Sequence, residues 1–269
     1  MSKTILITGS SDGIGLETAK LLASEGHGVI LHGRSNAKLA RAQRDHGVLA
    51  ECGTVAADLS DLAETENMAH EVQRRFGALD VLINNAGVFK VADPVMATGL
   101  DIRFVVNTLA PYLLTRLLLP IMPNEGRVLN LSSAAQAPLS ERALQGQERL
   151  SDNAAYAQSK LAITSWSRHL ALAKPKGPAI IAVNPGSLLG TKMVREAYGM
   201  AGKDVGQGAR ILAELAVSAK HAGATVLYFD NDSERFAAPH PDALNPEKGE
   251  RLVAMIDTIL SQHITGNLP

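Results

Sequence analysis

The sequence Tyr156-Ala157-Gln158-Ser159-Lys160 sets a phenol and an ammonium four residues apart, and on a helix that spacing puts both on one face. A free phenol titrates near about pH 10, too high to pass protons easily at neutrality. A cation held close favours the phenolate and lowers that value, so the pair reads as a general acid and base. Other polar side chains stand where strands are expected to end or inside an apolar helix: Ser132 and Ser133, Asn85 within Asn84-Asn85-Ala86-Gly87, and Asn107. A serine hydroxyl at the strand end would project toward the same crevice, and the Asn107 amide is suited to bind a water.

A second constellation lies near the start of the chain. Thr8-Gly9-Ser10-Ser11-Asp12-Gly13-Ile14-Gly15 falls between an apolar run and a helical stretch. A pyrophosphate needs backbone N–H donors, a helix amino terminus and glycines that admit the main chain closely. Gly9, Gly13 and Gly15 supply these, with the spacing Gly-x-x-x-Gly-x-Gly rather than the commoner Gly-x-Gly-x-x-Gly. Where many dinucleotide sites carry an acid for the ribose 2′-hydroxyl, this chain reads His32-Gly33-Arg34-Ser35. A guanidinium there would pair with a 2′-phosphate, which favours NADP(H) over NAD(H), although Asp12 adds repulsion beside the phosphates.

Such groups need a scaffold to bring them together. Short apolar runs recur at Thr4–Thr8, Gly28–His32, Thr54–Ala57, Val81–Asn84, Arg127–Leu131, Ala179–Asn184 and Thr225–Phe229. Nearly continuous apolar character marks strands buried on both faces. Helical periodicity falls between them, at Ile14–Glu25, Asn36–Arg44, Asp61–Phe76, Thr98–Leu119, Asp152–Leu172 and Gln207–Ser218, with a last helix at Glu247–Ser261. Strand–helix alternation predicts one domain over 1–269: a doubly wound Rossmann-type α/β fold whose parallel sheet of about seven strands has helices on both faces. The irregular segments Ala134–Ser151 and Ser187–Lys203 follow strands directly and are expected to wall the site. Asn231–Pro246, with Pro239, Pro241 and Pro246, reads as irregular.

Composition excludes several classes. With 46% hydrophobic residues among 269, disorder is ruled out. A net charge of −1 and 4% aromatic residues argue against a nucleic-acid surface. Cys52 is the only cysteine and the histidines lack metal-ligand spacing, so neither a disulfide nor a metal is expected. The start Met1-Ser2-Lys3-Thr4 lacks signal-peptide zones, and the strongest apolar stretch, Leu113–Met122, is broken by Arg116 and Pro120; a cytoplasmic protein without membrane attachment is the expectation.

The ordered set Thr8-Gly9-x-x-x-Gly13-Ile14-Gly15, Asp58, Asn84-Asn85-Ala86-Gly87, Asn107, Ser133, Tyr156-x-x-x-Lys160 and Pro185-Gly186-x-x-x-x-Thr191 resembles the short-chain dehydrogenase/reductase superfamily from residue 4 to about residue 230. Arg34-x-x-x-Lys38-Leu39 and the stretch Ala143–Lys160 are most similar to the branch of retinol dehydrogenases and related carbonyl reductases. The resemblance implies that Tyr156 protonates a carbonyl oxygen in reduction and takes the proton back in oxidation. Lys160 would bind the nicotinamide ribose and depress the tyrosine pKa. Ser133, with Ser132 as its rival, would hold the substrate oxygen, and Asn107 would keep a water linking Lys160 to solvent. It further implies contacts to the cofactor from the loop Gly9–Gly15, from Arg34 and Ser35, and from Asp58 and Leu59 at the adenine. Asn85, Ala86 and Gly87 would meet the adenosine side, and Pro185, Gly186 and Thr191 the carboxamide. The expected partner is a small carbonyl or alcohol, and relatives pair through the helices that here hold Asn107 and Tyr156, implying a homodimer or homotetramer.

The sequence also departs from that pattern. Ser133 and Tyr156 lie 23 residues apart, about twice the separation usual in relatives, and the extra residues, including Gln145-Gly146-Gln147-Glu148, are expected to cover the substrate opening. Pro111 inside the Asn107 helix should bend it. Two other functions stay open at this level: a dinucleotide-binding regulator without turnover, and a carbon–carbon double-bond reductase.

Overall fold

The computed structural model describes residues 1–269. Its elements run β1 (Thr4–Ile7), α1 (Gly13–Ser24), β2 (Gly28–Gly33), α2 (Asn36–Asp45), β3 (Gly53–Ala56), α3 (Leu62–Phe76), β4 (Val81–Asn84), α4 (Ile102–Phe104), α5 (Ala110–Leu118), β5 (Arg127–Leu131), α6 (Glu141–Leu144), α7 (Asp152–Ala173), β6 (Ala179–Asn184), α8 (Lys192–Tyr198), α9 (Val205–Val217), β7 (Tyr228–Asp230), β8 (Arg235–Ala237), α10 (Pro241–Leu244) and α11 (Pro246–Leu260). The strands form one sheet in the order β3-β2-β1-β4-β5-β6-β7-β8. All neighbours are parallel except β7 and β8, so the expected α/β sheet is present with an eighth, antiparallel edge strand. That strand lies in the segment read as irregular. With only Arg235, Phe236 and Ala237 in it, it is too short to show a period.

Alternate strand residues feed two cores. Ile5 and Ile7 of β1 pack with Leu22 of α1 and Leu212 and Leu215 of α9 on one face, while Leu6 joins α3, α5 and α7 on the other. The order reverses between β1 and β4, and there the crevice beyond the strand ends opens. Local signals set the helix starts: Asp61 accepts from Ala63 N and Glu64 N to begin α3, and Ser151 accepts from Ala154 N to begin α7.

The stretch expected as one helix at Thr98–Leu119 begins later, where Asp101 caps α4, and carries a π-helical turn at Val105–Leu109. The turn stands directly before Pro111, whose missing N–H breaks the regular ladder. The helical stretch Ile102–Ile121 is long and apolar enough to cross a membrane by composition, but 83% of its most apolar window is buried inside the protein. The outer side of α7 is covered as well: nine consecutive residues, Ser159–Ser167, are buried, and α11 packs along the helix.

Candidate functional site

A cavity of about 610 Å³ lies along the strand ends from β3 to β6. It is lined by Ser11, Asp12 and Gly13 of the first turn, by Arg34, Ser35 and Lys38 after β2, and by Asp58 and Leu59 after β3. Asn85, Ala86 and Gly87 line its centre, followed by Tyr156, Lys160, Pro185 and Thr191.

The glycine turn is built for close approach. Gly9 sits at φ +64°, and a Cβ there would stand 3.0 Å from Ala86 Cα. Gly15 has no room for a side chain either, because a Cβ would meet Asn85 Nδ2 and Gly9 O at 2.5 Å. Asn85 Nδ2 donates to Thr8 O and Gly9 O at 2.8 and 3.0 Å, and Thr8 Oγ1 accepts from Asn85 N and Ala86 N. Asn85 thus laces β1 to β4 beneath the cavity. Gly15 and the fully buried Ser10 serve the turn from below and do not line the cavity, unlike Gly9, Ser11, Asp12, Gly13 and Ile14. Asp12 directs its carboxylate at Gly13 N, 2.6 Å away, as the cap of α1. The expected repulsion is thereby tempered, since the charge is spent on the helix terminus.

At the β2 end, Arg34 and Lys38 are exposed and make no ion pair or side-chain hydrogen bond. The nearby Asp58 carboxylate is occupied by Ser60 N and Ser60 Oγ at 2.9 and 2.8 Å. Two unneutralised cations beside a glycine turn and a helix amino terminus match the chemistry of a dinucleotide carrying an extra phosphate. The lining as a whole fits a nicotinamide dinucleotide.

At the other end, Tyr156 and Lys160 share one face of α7, and Lys160 Nζ lies 5.6 Å from the centre of the Tyr156 ring. The expected acidification of the phenol is not what the geometry gives. Burial pushes the Tyr156 pKa up, a Ser133 hydrogen bond opposes the rise, and nearby Tyr198 adds to it. Burial also brings Lys160 down to about 8, which weakens it as a source of positive charge.

Of the two serines, Ser133 stands close enough to the phenol to favour its ionised form, while Ser132 is the one that lines the cavity wall. Ser132 Oγ is 2.7 Å from Thr164 Oγ1 and donates to Lys160 O at 3.0 Å, inside the packing between β5 and α7. Ser133 is placed in turn by two donors to its carbonyl, Gln136 Nε2 at 2.9 Å and Tyr228 Oη at 3.1 Å. Neither residue stood out in the sequence, because the ties run through main-chain carbonyls.

Asn107 sits in the π-helical turn, and both its amide hydrogens are used, on Val88 O at 2.9 Å and Ser159 Oγ at 3.0 Å. Oδ1 accepts from Val88 N at 2.8 Å. The side chain braces the loop after β4 against α7. Gly186, at φ +120°, turns the chain after β6 without lining the cavity.

The two expected walls behave differently. Thr191, Lys192 and Met193 line the cavity, whereas no residue of Ala134–Ser151 does. Ala143 and Leu144 are buried in the core, and the turn at Gly146 packs on Gly99 O. An aromatic group unmarked by any motif stands at the mouth: Phe89 lies 4.8 Å from the Tyr156 ring and 5.9 Å from that of Tyr198 on α8.

Comparison with known proteins agrees with this geometry. Residues 3–202 match the family described as short chain dehydrogenase. The chain is 30% identical to an uncharacterized oxidoreductase of Emericella nidulans over 97% of its own length and 98% of that protein. It is also 30% identical to human retinol dehydrogenase 13, over 94% of this chain and 82% of that one. Among solved structures, a Mycobacterium paratuberculosis protein superposes with a TM-score of 0.80 at 25% identity, covering 99% and 95% of the two chains. A metagenomic short-chain oxidoreductase in complex with NADP superposes with a TM-score of 0.63 at 30% identity, covering 80% and 91%. With its glycine turn, its Tyr–Lys pair and a match over most of its length, the chain belongs to the short-chain dehydrogenase family of oxidoreductases.

Proposed function

We propose that the protein interconverts a carbonyl and an alcohol with NADP(H), using Tyr156 as general acid and base. The observation that carries this reading is the shared cavity, with the unpaired Arg34 and Lys38 at one end and Tyr156 and Lys160 at the other, Ser133 standing beside the phenol. When bound, the dinucleotide supplies or accepts the hydride. In reduction the Tyr156 phenol donates its proton to the carbonyl oxygen, and the Ser133 hydroxyl holds that oxygen in place. A raised phenol pKa keeps this proton available at neutral pH. Lys160, within the same wall, would hold the ribose hydroxyls, while Arg34 and Lys38 would meet the 2′-phosphate.

The reacting end is walled by Val88, Ile102, Val106 and Met193, with Phe89 and Tyr198 beside it. Lys192 there is near Glu196 at 3.5 Å, and Lys90 donates to Ala197 O. With its cations engaged, this wall suits a neutral, apolar carbonyl compound.

The test is NADPH oxidation by the purified chain with a panel of aldehydes, ketones, enones and a keto acid. Turnover of uncharged aldehydes or ketones is expected, with Tyr156→Phe binding NADPH yet inactive. Reduction confined to the enone double bond would replace the carbonyl reading, and binding without turnover of any member would leave a dinucleotide-binding regulator. Failure of wild type to bind either dinucleotide at micromolar concentration would end the reading.

A further inference from the structure

A histidine interrupts the apolar run of β2, Gly-Val-Ile-Leu-His-Gly, and its side chain is buried, His32 being 2% exposed. An imidazole held there is costly unless both ring nitrogens have partners. Both do. His32 Nδ1 accepts from Gly9 N at 3.0 Å, which places the ring hydrogen on Nε2, where it meets Ala57 O at 3.1 Å. One ring therefore joins the turn after β1 to the end of β3 across β2. The main chain repeats the tie: His32 N donates to Ser10 Oγ and Ser10 N to His32 O, each at 2.9 Å.

The two residues held by the ring stand immediately before the two parts of the dinucleotide cleft. Gly9 is pressed against Ala86 on its other side and leads into Ser11, Asp12 and Gly13, while Ala57 leads into Asp58 and Leu59. We infer that His32 is a positioning residue for the dinucleotide, fixing the phosphate turn against the adenosine wall through Gly9 N and Ala57 O. This role rests on the dinucleotide reading of the cavity. It differs from that of Arg34, because the turn and the adenosine wall serve NADPH and NADH alike. Burial brings the His32 pKa down to about 4, so the ring stays neutral and keeps its acceptor through the ordinary pH range.

The test measures Kd for NADPH and for NADH separately, together with kcat, on the full chain. His32→Leu leaves Gly9 N and Ala57 O without partners and is expected to raise both Kd values by the same factor, about tenfold. Saturating NADPH should restore kcat to within about twofold. His32→Asn returns an acceptor at the Nδ1 position and should recover most of the lost affinity. A merely structural histidine would lower the melting temperature and leave both Kd values alone, which overturns the proposal, as does a loss confined to NADPH or to kcat.

Should His32→Leu fail to fold, the wild-type ring itself decides. Nitrogen-15 histidine spectra are expected to show a neutral ring protonated at Nε2 from about pH 6 to 8, with its Nδ1 signal moved by added NADP⁺. A doubly protonated ring, or a signal indifferent to saturating NADP⁺, overturns the role. A wild type that binds neither dinucleotide overturns the reading of the site and this role with it.

Discussion

Lys160 directs its ammonium at the carbonyl oxygen of Leu131, 2.6 Å away, and stands over the Tyr156 ring at 5.6 Å from its centre. Since burial raises the phenol above its ordinary pKa, the protonated form that reduction needs persists through neutrality. Oxidation needs the phenolate, whose population grows with pH up to that raised pKa. The rate of alcohol oxidation is therefore expected to climb steadily from pH 7 through 10, while reduction stays level over the same range. Steady-state profiles in both directions check this, and a flat oxidation limb would show that another group takes the proton.

Lys160 also makes stability depend on pH. Its pKa is about 8 in the fold against 10.5 when solvated, so between those values the unfolded chain binds more protons. Stability contributed by this group rises as pH climbs from about 8 to 10.5 and is smallest below 8. Lys160→Met removes that rise. Melting curves at both ends of the window should show wild type gaining on the variant at high pH, by on the order of 1 to 3 kcal/mol.

Arg34 gives a prediction about cofactor choice. Its guanidinium is exposed and pairs with no carboxylate, so its loss disturbs nothing else in the fold. Arg34→Ala is expected to weaken NADPH about tenfold and NADH hardly at all, as measured by fluorescence titration. An equal loss for both dinucleotides would remove Arg34 from the 2′-phosphate.

The adjacent serines separate catalysis from packing. Ser133→Ala removes the hydroxyl beside the phenol and should lower kcat by about a hundredfold with the melting temperature nearly unchanged. Ser132→Ala removes a buried hydroxyl tied to Lys160 O and Thr164 Oγ1, and should cost about 1 to 2 kcal/mol of stability. Reversal of the two phenotypes would exchange the roles.

Sequence alone carried those parts of the site in which a short spacing dictates a local geometry. The Tyr156–Lys160 pair is one helical turn, and Gly9, Gly13 and Gly15 are one strand-to-helix turn, so neither depends on distant packing. The packing role of Ser132, set beside the Ser133 that the resemblance already favoured, needed the tertiary structure, since it rests on the Thr164 hydroxyl that α7 brings to it. The same holds for His32, whose partners Gly9 and Ala57 lie in other strands, and for Phe89 and Tyr198, which meet only when α8 folds over the loop after β4. The sign of the Tyr156 shift was also out of reach. A nearby lysine suggests a fall, but the outcome depends on how much water both groups lose.

Pairing between copies depends on what covers α5 and α7. Arg116 of α5 bonds Tyr112 Oη and Pro269 O, lies 3.4 Å from Asp257 of α11, and stacks on Tyr112. Tyr112 in turn donates to Asp257 at 2.8 Å and packs edge-on against Trp166 of α7. Farther along, the buried Glu66 of α3 accepts from Thr265 N, Thr265 Oγ1 and Gly266 N. These ties hold α11 and the segment after it over α5 and α7, where a second copy would have to dock. Light scattering is expected to return the mass of one chain, 28.4 kDa. Arg116→Ala combined with Glu66→Gln should loosen the cover, lower the melting temperature and allow association through the uncovered helices. A wild-type dimer that dissociates when those helices are mutated would show that α11 completes a pairing surface instead of replacing it.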